Sequence, residues 1–97
     1  MRRPGLEVRV ASSSPVGDRP PRLGITIRRV AVRTNVRRNQ LKRWVREAFR
    51  RHPEASAAGW DIVVSVSQAP PSWRAQDLEQ MLVEGLAQAR RLLAERR

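Results

Sequence analysis

Ten of the 24 residues from Arg28 to Arg51 are basic, and only one, Glu47, is acidic. Such a run suits one kind of chemistry, the neutralisation of phosphates on a polyanion. All but Lys42 of these cations are arginine. A guanidinium donates paired hydrogen bonds to a phosphate and stacks on a base, which an ammonium cannot do. At 100° per residue, Asn39, Lys42, Arg43, Arg46 and Arg50 fall on one side of a helix, opposite Leu41, Trp44, Val45, Ala48 and Phe49. Arg28, Arg29, Arg33, Arg37, Arg38 and Gln40 complete the candidate binding set. The start of the helix, near Asn35–Arg38, adds its positive end and its free backbone N–H groups. Solvated helix faces normally mix charge signs. The near absence of acids here favours a polyanion-binding face.

Catalytic constellations are missing. Ser12, Ser13 and Ser14 have no His and Asp partners, and the single histidine, His52, stands at a helix end before Pro53, where it serves the helix dipole. Glu79 and Glu84 are five apart on a helix and do not face each other as an acid–base pair would. Asp18 with Asp61 makes no acidic metal cluster, Gly17 and Gly24 make no phosphate loop, and the absence of cysteine removes thiolate chemistry and disulfides. Trp60 and Trp73 flank a strand and read as core or rim. Any reaction this chain serves must draw its chemistry from a partner.

The elements that would position the basic face follow from periodicity. Leu6–Ala11 and Arg22–Arg29 alternate apolar with polar residues and read as strands, joined as a hairpin through a loop at 12–21 rich in Ser, Pro and Gly. Asn35–His52 is the basic helix, stopped by Pro53. Trp60–Ser67 is a β-branched strand, and Ala69-Pro70-Pro71 breaks it. Ser72 caps a last helix that runs to about Glu95 and carries Leu78, Met81, Leu82, Leu86, Ala89 and Leu92 or Leu93 at helical spacing. Gly85, inside that helix, costs about 1 kcal/mol in propensity; a close crossing of helix on sheet explains it. The order β-β-α-β-α gives an α+β class, and one polyanion-binding domain is expected over 1–97, with a short basic tail at 1–5.

Composition agrees. The 97 residues carry a net charge of +11, concentrated in the first half, where residues 1–51 hold +12 and the remainder −1. No apolar run approaches the ~20 residues that span a bilayer, and Met1–Gly5 leads into no signal sequence, so a cytoplasmic chain is expected. Nucleic acid is the favoured partner over an anionic membrane.

The segment Arg38-Asn39-Gln40-Leu41-Lys42-Arg43-Trp44-Val45-Arg46-Glu47-Ala48-Phe49-Arg50 resembles the signature of the bacterial ribonuclease P protein subunit: Arg-Asn-Arg, an apolar residue, Lys-Arg, two apolar residues, Arg-Glu, a small residue, Phe-Arg. Pro21–Arg29 is similar to that family's strand ending in a basic pair, and Trp60–Val64 to its Asp-Ile-Val-Val strand. The resemblance covers roughly residues 21–97.

It implies an α+β fold with a left-handed βαβ crossover displaying the motif helix, whereas ordinary crossovers are right-handed. It implies that Arg38, Asn39, Lys42, Arg43, Arg46, Arg28 and Arg29 face a catalytic RNA. It also implies that a sheet cleft, with Ile25 and Ile27 on the sheet, receives the 5′ leader of precursor tRNA. The expected partners are ribonuclease P RNA and precursor tRNA, with no membrane and no obligate protein partner. The protein itself is expected to bind no cofactor, Mg²⁺ acting through the RNA. Two departures stand out. Gln40 occupies the third motif position, where the family has Arg. Only Met1–Gly5 precede the first strand, where the family has a helix with aromatic residues lining the leader cleft. A general, ribosome-associated RNA-binding module with no role in cleavage is the alternative.

Overall fold

The computed structural model describes residues 2–3, 5–12 and 19–95, with Arg2 and Arg3 described by their backbone only. Two strands open the chain, β1 (Arg2–Arg3) and β2 (Leu6–Ser12). Then come β3 (Arg22–Ile27), helix α1 (Asn35–Arg51), a single 3₁₀ turn at Pro53–Ala55, β4 (Trp60–Val66) and helix α2 (Ala75–Glu95). Part of the expected tail is thus a short strand, paired antiparallel with β2. Ser13, Ser14, Gly17 and Asp18 lie outside the described residues.

The expected hairpin does not form. The sheet order is β1-β2-β4-β3, with β4 inserted between the two strands that are neighbours in sequence. β4 pairs antiparallel with β2 and parallel with β3, so that Val8, Val64 and Ile25 stand in one row and Leu6, Val66 and Ile27 in the next. Burial explains the choice. β4 carries the densest β-branched run, and its Trp60, Ile62, Val64 and Val66 are all buried under the helices, which suits a central strand.

The parallel pair β3 and β4 is bridged by α1. The Arg28 N–H donates to the Val66 carbonyl at 3.0 Å, which turns the peptide groups of the even positions in β3 toward β4. Those even side chains are exposed on the open face, while Leu23, Ile25 and Ile27 face the helices. For L residues this sets β4 to the left of β3 when the sheet is viewed from the helix side with both strands upright. The β3–α1–β4 crossover is therefore left-handed, against the general preference.

Both helices pack on the same face. Leu41, Val45 and Ala48 of α1 join Leu78, Met81, Leu82 and Leu86 of α2 and the inward residues of β2 and β4 in one core. α1 starts where Thr34 Oγ1 accepts the Arg37 N–H at 3.3 Å, and stops at His52, whose N–H reaches the Phe49 carbonyl before Pro53. Ser72 does not cap α2. The helix begins three residues later, where the Asp77 carboxylate accepts the Arg74 N–H at 2.7 Å. A carboxylate in the first turn both satisfies an orphan donor and complements the dipole.

Candidate nucleic-acid interface

The outer face of α1 is cationic because its inner face must be apolar. Asn39, Arg43, Arg46 and Arg50 are exposed and Lys42 is half-exposed. At the far end of β3, Arg28 and Arg29 are exposed on the turn that leads into α1, followed by exposed Arg33. The turn is closed by Ala31 and Val32 N–H groups on the Arg28 carbonyl, and Val32 is driven into the core. The parallel crossover thus places the end of β3 and the start of α1 in one continuous segment.

The cations differ in how they are engaged. Among the described residues, Arg28, Arg29, Arg33, Lys42, Arg46 and Arg50 have no side-chain partner. Arg43 Nε stands 3.9 Å from Glu47 Oε1, an exposed i,i+4 pair of small worth. Arg38 is half-buried, with Nη1 donating to the Val32 carbonyl at 2.6 Å and Nη2 donating to Asn35 Oδ1. Arg37 is half-buried as well. Its guanidinium donates to Gln40 Oε1 at 2.7 Å and to the Trp73 carbonyl at 3.1 Å, and lies 5.3 Å from the centre of the Trp44 ring. Of the sequence-derived set, therefore, Arg37, Arg38 and Gln40 are tied into the fold. The others are exposed or half-exposed along the outer side of α1 and on the turn that leads into it.

Ile25 and Ile27 occupy the helix-side face of the sheet, half-buried against the core. The opposite sheet face is open and mixed in character. It carries Glu7 and Arg9, joined at 2.8 Å, then Asp61 held by Arg22 at 3.0 Å and by Arg19 at 3.2 Å, with Val63 between them. Among the described residues no group of three or more His, Cys, Asp or Glu could hold a metal ion.

Sequence reasoning passed over two exposed apolar residues beside the cations, Val30 and Val36, which are 75% and 83% exposed. The signal was present, since Val36 lies five residues before Leu41 and so about 140° off the buried stripe. A second cluster was also missed. At the other end of α1, His52 Nε2 lies 3.0 Å from Glu79 Oε2 of α2, His52 Nδ1 lies 3.3 Å from Glu54, and Arg51 lies 3.7 Å from Glu79. Hydrogen bonds to Glu79 first, and then to Glu54, raise the His52 pKa above its ordinary value. Arg90 completes this end, donating to the Glu54 and Ser56 carbonyls at 3.2 Å each and lying over Trp60.

Fold and site together define a small α+β protein that displays a polycationic helix from a left-handed crossover. The chain belongs to the Ribonuclease P family, whose model matches residues 2–90. The ribonuclease P protein component of Pseudomonas aeruginosa is 54% identical over 44 residues, 45% of this chain and 32% of that protein. That of Pseudomonas syringae pv. tomato is 52% identical over the same length. The matched stretch spans about a third of the length of these curated relatives. The solved RNase P protein of Thermotoga maritima superposes with a TM-score of 0.75 at 29% identity, over 91% of this chain and 80% of that one. A Staphylococcus aureus RNase P protein gives 0.76 at 27%, over 93% and 73%. Among the described residues, no helix is long and apolar enough to cross a membrane.

Proposed function

We propose that this chain is the protein subunit of a ribonuclease P ribonucleoprotein, assisting a catalytic RNA to hydrolyse the phosphodiester between the 5′ leader and the body of precursor tRNA. The observation that carries this reading is the set of exposed or half-exposed cations, Arg28, Arg29, Arg33, Lys42, Arg46 and Arg50, which line α1 and the turn before it and have no side-chain partner among the described residues, in a chain of the Ribonuclease P family. Each exchanges a condensed counterion for a direct phosphate contact, which favours the compact ribozyme–substrate complex. Recognition of this kind follows RNA shape and backbone rather than base sequence. Mg²⁺ held by the RNA supplies the hydrolytic chemistry. The half-exposed sides of Ile25 and Ile27, flanking α1, are the part of the sheet offered to the leader.

Reconstitution tests this. The 97-residue chain is mixed with the ribonuclease P RNA of its own source and a precursor tRNA at low Mg²⁺. Faster leader release with protein than without is the expected result. RNA binding with no stimulation would leave a general RNA-binding module instead.

A further inference from the structure

The start of α1 is held by more than its cap. Arg37 Nη1 donates to Gln40 Oε1 at 2.7 Å, one helical turn on. Arg37 Nη2 donates to the Trp73 carbonyl at 3.1 Å and approaches the Pro70 carbonyl at 3.5 Å, both in the connection between β4 and α2. The same guanidinium lies 5.3 Å from the Trp44 ring centre, on the half-buried side of α1. The rigid planar fork of arginine is what allows one side chain to meet two segments and an aromatic ring at once. Gln40 is the only side-chain hydrogen-bond acceptor in the set. Its amide oxygen must face Arg37, because the flipped amide would set an NH₂ against a guanidinium, donor to donor.

We infer that Arg37 and Gln40 form a latch that seats the first turn of α1 on the β4–α2 connection. Arg37 is then a positioning residue for the cationic face and not one of its phosphate contacts. The inference rests on the reading of that face as an RNA-binding surface. Gln40 is the residue that decides the matter. A neutral acceptor there draws Arg37 inward, whereas a cation at the same position would stand against Arg37 and expel it toward solvent. With the latch closed, Lys42, Arg43 and Arg46 are presented from a fixed helix start.

The test combines the salt dependence of binding to the ribonuclease P RNA of the same source with ¹⁹F NMR of protein labelled with 5-fluorotryptophan, whose three tryptophans give three resonances. In Arg37→Ala the plot of log K against log salt is expected to fall below wild type in parallel, with its slope unchanged. The Trp44 and Trp73 resonances are expected to move while that of Trp60 stays. Gln40→Arg keeps Arg37 and guards against a variant that fails to fold. Its slope is expected to steepen by about two phosphate contacts, roughly 0.9 each, because Arg37 is released along with the new charge. In the Arg37→Ala background the same substitution is expected to add about one. A shallower slope in Arg37→Ala, a gain of only one contact in Gln40→Arg, or unmoved Trp44 and Trp73 resonances would each overturn the latch. Wild-type protein that binds no RNA would defeat the binding reading, and the ¹⁹F shifts alone would then decide the latch.

Discussion

Gly85 of α2 lies directly against Val8 of β2: a Cβ placed on Gly85 would stand 2.7 Å from Val8 Cγ2 and 2.9 Å from its Cβ. Val8 is 4% exposed and sits between Leu6 and Val10 on the inward face of the sheet, so it has no room to withdraw. The helix therefore crosses the sheet as closely as a residue without a side chain allows. Gly85→Ala gains about 1 kcal/mol of helix propensity but incurs overpacking of about 1–3 kcal/mol. Net destabilisation of up to about 2 kcal/mol is expected by urea denaturation. Combining it with Val8→Ala should recover part of that loss as a coupling energy. Simple additivity would show that the two residues do not meet.

The cationic face should show itself in salt dependence. With five or six phosphate contacts, log K for RNA should fall against log salt with a slope of about −4 to −5. Lys42→Ala, Arg46→Ala and Arg50→Ala are each expected to make that slope shallower by about one contact, with little effect on folding, since none has a side-chain partner among the described residues. A filter-binding titration between low and moderate salt measures this. Unchanged slopes in all three would place the RNA elsewhere.

Stability should pass through a maximum in mildly acidic solution. His52 has its pKa raised from about 6.5 by Glu79 and Glu54, so its contribution is complete below 6.5 and fades as pH rises through the raised value. Glu54 has its pKa lowered from about 4.5 by its own backbone and by His52, so its contribution is present above 4.5 and fades as pH falls through the lowered value. Both act together between roughly those two values. Thermal unfolding against pH should show wild type losing stability as pH rises above about 6.5 through the raised His52 value, and His52→Asn should flatten that decline.

Anions should stabilise the free protein. A net charge of +11, with six cations near α1 that have no side-chain partner among the described residues, costs folding energy through self-repulsion. Sulfate at matched ionic strength is expected to raise the unfolding midpoint by circular dichroism more than chloride does, because bound anion adds linkage stabilisation. Equal effects of the two salts would reduce the matter to general screening.

Much of this was legible in the residues. The stripe Leu41, Val45 and Ala48 dictates a helix with an outward cationic face, because a period of 3.6 leaves one way to bury it. The alternation in Leu6–Val10 and Leu23–Ile27 dictates two strands, and Gly85 marks a close crossing. Such patterns are local, and local sequence holds them in full.

The tertiary structure alone decided who pairs with whom. The alternation in β2 and β3 suits a hairpin as well as it suits two flanks of β4, and only the burial of Ile62, Val64 and Val66 beneath two helices selects the second. It also decided which arginines are offered to a ligand. Arg37 and Arg46 are alike in sequence, yet Arg37 meets the Trp73 carbonyl 36 residues away while Arg46 meets no side chain among the described residues. A charge pattern records which residues are cations, and only the packed chain brings acceptors to some of them and leaves the rest to a polyanion.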